Sequence, residues 1–207
     1  MGTGLVRPLR GFVSYATADH EAVDRLLTLL QPVEKALGLV IWRHTGIAAG
    51  SQWDAEIMNA IGRADVFIVC MSPFFLASRY CYEVELPAIH SRTKDASALM
   101  MPVLLAPCAW WGSVGDWPVL PTQEGKTIPI SDWRSKEKAL IATASQIRHA
   151  IEVHLGLVAE APASHRAPPL VPNLDDLNDL GEGKLSPAEI QMAVEALVAE
   201  GKANSGV

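Results

Sequence analysis

The sequence predicts an α/β protein whose parallel sheet is covered by helices on both faces. Short, continuously apolar runs at Leu39–Trp42 and Val66–Met71 are typical of strands that are buried on both sides. Longer segments with helical spacing alternate with them. In the first of these, apolar residues fall at i, i+3, i+4 and i+7, namely at Val23, Leu26, Leu27 and Leu30. Strands and helices that alternate in this way indicate a parallel sheet.

The other elements continue the alternation. Five strands are expected, at residues 11–15, 39–42, 66–71, 102–106 and 127–130. The second helix should begin at Ser51, because Ser51 and Asp54 have the spacing of a capping box. The last helix of the domain should run through Leu140, Ile147 and Ile151.

Two prolines and one aspartate modify the expected helices. Asp19 is placed to cap the first helix, and Pro32 should end or kink it. Pro87 lies inside the helix expected over residues 80–92, where we expect a kink or a break.

Composition and charge limit the class of protein. The chain has 207 residues, enough for one domain and an appendage, and its net charge of −6 argues against nucleic acid as a partner. The longest apolar segment, residues 98–107, is interrupted by prolines and is too short to span a membrane. The three cysteines include no CxxC pair, which fits a reducing compartment. We therefore expect a soluble protein of the cytoplasm.

The amino-acid composition changes near residue 159, where proline-rich and then acidic segments begin. We predict a domain over residues 1–158, a proline-rich and acidic linker over 159–185, and an amphipathic helix with a tail over 186–207. That helix is too short to be stable alone, so it should dock on the domain or on a partner.

A calcium loop is one interpretation of the segment from Asn178 to Glu189. Gly183 and Glu189 fall at positions 6 and 12 of an EF-hand, but Leu180 stands at position 3 and has no side-chain oxygen. We expect a loop and a capped helix instead. The histidines show no metal-ligand spacing either, so no metal site is predicted.

Five motifs occur in a fixed order along the chain. They are Phe12-Val-Ser-Tyr15 followed by Asp19, Val40-Ile-Trp42, Gly46-Ile-Ala-Ala-Gly50-Ser-Gln-Trp53, Val66-Phe-Ile-Val-Cys-Met-Ser-Pro73, and Ser78-Arg-Tyr-Cys81 followed by Glu85-Leu. Together they resemble the TIR (Toll/interleukin receptor) domain, and in particular its bacterial members. The segment from Gly125 to Trp133 is similar to the closing part of many bacterial TIR domains, so the resemblance covers roughly residues 9–155.

The resemblance implies a flavodoxin-like fold with a five-stranded parallel sheet. It also implies one of two functions. Many bacterial TIR domains cleave NAD⁺ between nicotinamide and ribose, as immune or stress effectors that act when assembled. Others are adhesive modules that recruit further TIR domains through the loop corresponding here to residues 46–50.

Cleavage of NAD⁺ needs few catalytic groups. Nicotinamide leaves as a neutral molecule, so no general acid is required. What helps is a carboxylate that orients the ribose hydroxyls and stabilises the developing oxocarbenium charge. The match to the family pattern implies that this residue is Glu85. The spacing from Cys81 is one residue longer than in animal receptors, which leaves Glu83 as the alternative.

The resemblance further implies that Ala16, Thr17 and Ala48 line the NAD⁺ site. Ala48 stands where the family often has a polar residue, and His44 stands where it commonly has aspartate. NAD⁺ would be the substrate, and no cofactor is expected. The implied partners are other TIR domains, together with an activating partner that could bind the C-terminal segment.

Three further functional interpretations of single residues follow from the sequence. Cys81 as a nucleophile lacks a histidine in a recognisable relation to it. A phosphate-responsive receiver would need an acidic cluster that Asp19 alone does not supply. Tyr15 could stack on a base or close the end of its strand. The tryptophans at 42, 53 and 133 are expected to be core anchors.

Overall fold

The computed structural model describes residues 7–43, 51–94 and 97–159, with only the backbone for residues 51–53. The predicted linker beyond residue 159, the calcium-loop segment, the C-terminal helix, His44 and Ala48 lie outside these residues. The same holds for the side chain of Trp53.

Strands and helices alternate along the described chain. The strands are β1 (Leu9–Ser14), β2 (Leu39–Trp42), β3 (Val66–Met71), β4 (Leu99–Leu104), β5 (Thr122–Gln123) and β6 (Lys126–Thr127). The α-helices are α1 (His20–Leu37), α2 (Ser51–Arg63), α3 (Pro73–Ala77), α4 (Leu86–Thr93) and α5 (Lys136–His154). A π-helix (Tyr80–Glu85) precedes α4, and 3₁₀ turns stand at Thr17–Asp19 and Ile130–Asp132. The predicted start of α2 at Ser51 is confirmed.

The main sheet has four parallel strands in the order β2-β1-β3-β4. One face packs against α1 and α5, and the other carries the buried residues of α2, α3 and α4. We call the buried residues between the sheet and α1 and α5 the first apolar cluster, and those between the sheet and α2, α3 and α4 the second. Val13 of β1 belongs to the first apolar cluster, and its neighbour Phe12 belongs to the second. This alternation follows from the two-residue period of a strand. The predicted α/β class, with a parallel sheet covered on both faces, is confirmed.

The prediction of a fifth strand at residues 127–130 is wrong. Lys126–Thr127 pairs with Thr122–Gln123 in a small antiparallel hairpin. A single parallel bridge between Val103 and Leu120 takes the position beside β4, with Leu104 N donating to Leu120 O at 2.6 Å. Residue 120 stands between Pro118 and Pro121, and proline has no N–H to donate to a sheet. Pro118 therefore cannot continue the ladder on one side of Leu120, and on the other side Thr122 N donates to Gln146 Oε1 at 2.9 Å.

Helix α1 also departs from the prediction, because it continues through Pro32 to Leu37. The proline removes a single helical hydrogen bond, and the turns beyond it bury Val33 and Leu37 in the core. The helix ends at Gly38, whose φ of +62° is the left-handed conformation that glycine adopts without strain.

At Pro87, where a kink or a break is predicted, the helix changes type instead and its backbone stays helical through Glu85 and Leu86. The π-helix gives way to α4 at Leu86, and Pro87 lies in the first turn of α4. A missing N–H is tolerated at that position. Strand β4 begins at Leu99, three residues before its predicted start, because Leu99 pairs with Val66.

Two of the predicted aromatic anchors do pack on the core. Trp42 stacks on Phe12 with ring centroids 5.4 Å apart and packs against the second apolar cluster. Trp133 packs against the first cluster, and its Nε1–H donates to Ile128 O at 3.1 Å.

Candidate active site

Glu85 lies against the carboxyl end of β1. Ser14, the last residue of that strand, donates a hydrogen bond from its hydroxyl to Oε2 of Glu85. Both residues are buried, with exposed fractions of 1% for Ser14 and 7% for Glu85. The carboxyl ends of strands in parallel sheets are where α/β proteins place their ligand-binding groups. The carboxyl group therefore lies at the edge of the sheet that such proteins use for chemistry.

The π-helix explains how Glu85 reaches this position. Leu86 N donates to Cys81 O, five residues back, so this turn holds one residue more than an α-helical turn. Cys81 and Glu85 are its buried residues and share one face. The extra residue in the Cys81-to-Glu85 spacing is accommodated by the wider turn.

Glu83, the alternative carboxylate, points away from the sheet. Its side chain is 58% exposed and forms an ion pair with Arg79 at 2.9 Å. A solvent-exposed pair of this kind contributes little to stability. The two candidate glutamates thus occupy opposite environments, one buried against Ser14 and one in solvent.

Burial changes the ionisation of Glu85. Loss of water around the carboxyl group raises the pKa of Glu85 to about 7, and the hydrogen bond from Ser14 opposes that rise. The group therefore gains and loses its charge near neutral pH. Such tuned carboxyl groups are frequent at functional sites.

Cys81 packs beside Glu85 but is not an activated thiol. Its Sγ donates to the carbonyl of Tyr15 at 3.5 Å. Burial, opposed by the hydrogen bond from Ser78 and assisted by the charge of Glu85, raises the pKa of Cys81 to about 11. A thiol that stays protonated at neutral pH is a poor nucleophile.

A second polar pair lies at the carboxyl end of β3. The hydroxyl of Ser72 donates to Oδ2 of Asp19 at 2.5 Å and accepts from Phe75 N at 3.0 Å, which caps α3. Asp19 makes no side-chain cap on α1, so its predicted role there is wrong. Burial raises the pKa of Asp19, while the hydrogen bond from Ser72 lowers it.

The residues that follow β1 turn sharply at this edge. Ala16 is buried and extended, with φ −75° and ψ 142°, and Thr17 begins the 3₁₀ turn and is exposed. The ring of Tyr15 packs against the first apolar cluster and stacks on His20, 6.1 Å away. Tyr15 thus closes the end of its strand.

Sequence reasoning did not single out Ser14 or Ser72. The available signal was local: each is the polar residue that directly follows an apolar strand segment, and Ser72 precedes a proline as helix caps often do. Their partners Glu85 and Asp19 are distant in sequence.

Two cavities lie on either side of the edge strand β2. The larger, which we name the β2–α2 groove, has a volume of about 380 Å³ and is lined by residues of β1, β2 and α2. The smaller, about 30 Å³, lies between β2 and the start of α1. Glu85 is not among the residues lining either one.

A family model of the TIR domain matches residues 12–144, and the chain therefore belongs to the TIR domain family. The chain is also similar to the uncharacterised protein y4lF of Sinorhizobium fredii (strain NBRC 101917 / NGR234), with 29% identity over 140 residues. That match covers 67% of this chain and 42% of the relative, so the chain spans less than half the length of that protein.

Two solved structures with similarity are also TIR domains. One is the TIR domain of the Toll-related receptor TRR-2 from Hydra magnipapillata, at 25% identity, with 53% of this chain and 82% of that chain covered and a TM-score of 0.38. The other comprises the TIR domains of the activated Roq1 resistosome directly recognizing the pathogen effector XopQ. It is 17% identical, with 72% and 84% of the two chains covered and a TM-score of 0.36.

Within the described part of the chain, no helix is both long and apolar enough to cross a membrane. The same residues contain no group of three or more His, Cys, Asp or Glu side chains that could hold a metal ion.

Proposed function

We propose that this TIR domain hydrolyses NAD⁺ at the bond between nicotinamide and ribose. The products would be nicotinamide and ADP-ribose, or a cyclised or conjugated form of ADP-ribose. The observation that carries the proposal is the buried carboxyl group of Glu85, held by the hydroxyl of Ser14 at the carboxyl edge of the sheet. Glu83, in contrast, is engaged with Arg79 in solvent.

The chemistry requires an ionised carboxylate next to the ribose. As the bond between the anomeric carbon and nitrogen breaks, its electron pair leaves with neutral nicotinamide and positive charge develops on the ribose. The Glu85 carboxylate would hydrogen-bond the ribose hydroxyls and stabilise that charge. Water then adds to the anomeric carbon and loses a proton. A pKa of about 7 leaves a substantial ionised fraction of Glu85 at neutral pH.

The substrate would be held by the loops around this edge. Ala16 and Thr17 follow Ser14 closely and turn at the end of β1, which supports their assignment to the NAD⁺ site. Ala48 completes the proposed set, from the loop that follows Arg43. No cofactor takes part, since NAD⁺ is the substrate.

Self-association is proposed to activate the enzyme, as expected for a bacterial immune or stress effector in the cytoplasm. The loop of one subunit would complete the site of the next. Nicotinamide release should then rise more steeply than linearly with protein concentration, and Gly50→Pro should suppress it. The proposed segments 159–185 and 186–207 would tether or dock an activating partner. A linear dependence that is insensitive to Gly50→Pro would contradict this assembly.

A non-catalytic TIR module is the second candidate. Exposed apolar side chains next to the proposed site favour it, because such side chains often mark protein contacts. Phe74 on α3 is 58% exposed, and Tyr82 and Val84 project from the π-helix into solvent. In this case the surface around Glu85 would bind another TIR domain without turnover.

One experiment separates the two candidates. The purified chain is incubated with NAD⁺, first dilute and then with a crowding agent, and nicotinamide is quantified by chromatography. Hydrolysis predicts release that Glu85→Ala abolishes and that the matched variant Glu83→Ala retains. Release that persists in Glu85→Ala contradicts the assignment of Glu85. Absence of release under both conditions leaves either the adhesive module or a hydrolase that lacks its activating partner.

A further inference from the structure

The β2–α2 groove has no role in the proposed hydrolysis, yet its lining is chemically specific. Its described lining includes Arg10 of β1, Val40 and Trp42 of β2, and Glu56, Asn59 and Arg63 of α2. The volume of about 380 Å³ falls in the range of small-molecule pockets. The groove is therefore large enough for a small ligand, and its charged, polar and aromatic groups indicate the class of that ligand.

The strand and helix residues face one another. Arg10 pairs with Val40 and Phe12 pairs with Trp42, so Arg10, Val40 and Trp42 project from the same face of the sheet. Glu56, Asn59 and Arg63 are spaced i, i+3 and i+7 on α2 and share one face of that helix.

Positive charge is concentrated at one end. Asp65 N donates to Arg10 O at 2.8 Å, which brings the end of α2, and with it Arg63, next to Arg10. The carboxylate of Asp65 is already bound by Arg7, at 2.7 and 3.0 Å. Within the described residues, the guanidinium groups of Arg10 and Arg63 form no hydrogen bond or ion pair. Two such groups suit a phosphate.

The other end of the groove is aromatic. The indole of Trp42 stacks on Phe12, and Trp42 is one of the residues that line the groove. Glu56 and Asn59 also line the groove, and their carboxylate and amide groups can bind sugar hydroxyls. Glu56 and Arg63 are seven residues apart, a rise of about 10 Å along the helix. The carboxylate is thus kept away from the phosphate end.

We propose that the β2–α2 groove binds a nucleoside monophosphate. Its phosphate lies on Arg10 and Arg63, its sugar faces Glu56 and Asn59, and its base packs on Trp42. The site is separate from the hydrolytic one, because Glu85 does not line the groove. The proposal therefore stands whether or not the chain hydrolyses NAD⁺.

Titration of the full chain with AMP in a calorimeter tests the site. Saturable binding with one AMP per chain is expected. Arg10→Gln and Arg63→Gln should each weaken it about tenfold or more, as expected for the loss of a charge-assisted hydrogen bond. Arg134→Gln is the matched control, because Arg134 is also an exposed arginine but does not line the groove. Adenosine, which lacks the phosphate, should bind at least about tenfold more weakly than AMP.

Three results would overturn the proposal. The first is the absence of saturable AMP binding at millimolar ligand. The second is binding by Arg10→Gln and Arg63→Gln that equals binding by Arg134→Gln. The third is loss of AMP binding in Glu85→Ala, which would place the nucleotide at the hydrolytic edge instead. Because the readout is heat of binding, an inactive hydrolase does not affect the outcome.

Discussion

The hydroxyl of Ser14 donates a hydrogen bond to the carboxyl group of Glu85 across 71 positions of sequence. This contact links the end of β1 to the π-helix. The two influences on Glu85 oppose each other: burial favours the protonated acid, and the Ser14 hydrogen bond favours the carboxylate. Ser14 is thus placed to set both the position and the charge of Glu85.

Removal of the Ser14 hydroxyl should impair hydrolysis most strongly at neutral pH. In Ser14→Ala the carboxylate loses a donor, so the pKa of Glu85 rises further above its usual value and a smaller fraction is ionised. We expect nicotinamide release at pH 7 to fall about five- to tenfold and the pH profile of kcat/KM to move to higher pH. Ser14→Thr, which keeps a hydroxyl, is the control. A profile for Ser14→Ala that coincides with the wild-type profile would remove Ser14 from this role.

The folded state should lose stability as Glu85 ionises. The pKa of Glu85 is about 7 in the folded chain and 4.5 ordinarily, so folding binds a proton between these values. The stabilising contribution of the protonated group is complete below about pH 4.5 and is lost as pH rises through about 7. The total is about 3 kcal/mol.

Urea unfolding at pH 5 and at pH 8.5 measures this loss. Glu85→Gln cannot ionise, so its free energy of unfolding should fall less than that of the wild type between the two pH values. Glu83→Gln should follow the wild type, because Glu83 is exposed. Parallel curves for Glu85→Gln and the wild type would show that Glu85 does not titrate in this range.

The parts of the fold that the sequence predicts are those with a strong local pattern. Strand β3 was predicted with its observed bounds because Val66–Met71 is continuously apolar and wholly buried. The fifth strand was misplaced because residues 127–130 have local strand character. Pairing beside β4 depends instead on Leu120, which stands between two prolines. Propensity carries no information about which segment reaches the edge of the sheet.

The candidate site was predictable only in part. A family motif identifies Glu85 in the sequence. Periodicity does not predict the π-helical turn, closed by the hydrogen bond from Leu86 N to Cys81 O, that brings the Glu85 side chain to the sheet. The contact between Ser72 and Asp19 spans 53 positions of sequence. An aspartate directly before a helix commonly caps that helix. The carboxylate of Asp19 instead accepts a hydrogen bond from the distant hydroxyl of Ser72.

Glu34 should stabilise the edge of the sheet. Its Oε1 accepts from Ile41 N at 3.2 Å, and its Oε2 accepts from Arg43 at 2.9 Å. Glu34→Ala would leave a backbone N–H of β2 without this partner and should lower the free energy of unfolding by about 1–3 kcal/mol. Urea denaturation at pH 7 measures the change. The exposed pair Glu21–Arg25 provides the control, since Glu21→Ala should cost less than about 0.5 kcal/mol. Equal losses in the two variants would mean that Glu34 is merely a surface charge.

The π-helix should tolerate the deletion of one residue. Tyr82 is exposed, and its removal would shorten the wide turn to an α-helical one. Cys81 and Glu85 would then stand three residues apart, which still places them on one helix face. We expect the Tyr82 deletion to keep a cooperative thermal transition within about 5 °C of the wild type, a change of about 1 kcal/mol.

Deletion of Ala142 from α5 is the matched control for this prediction. An ordinary α-helix has no extra residue to lose, so residues beyond the deletion rotate by about 100° relative to those before it. Thr143, Ile147 and Ile151 are fully buried, and their rotation out of the core should cost several times more than the Tyr82 deletion. Thermal unfolding followed by circular dichroism compares the two variants. Similar losses of stability in the two variants would contradict the prediction, because the π-helix would then tolerate a deletion no better than α5 does.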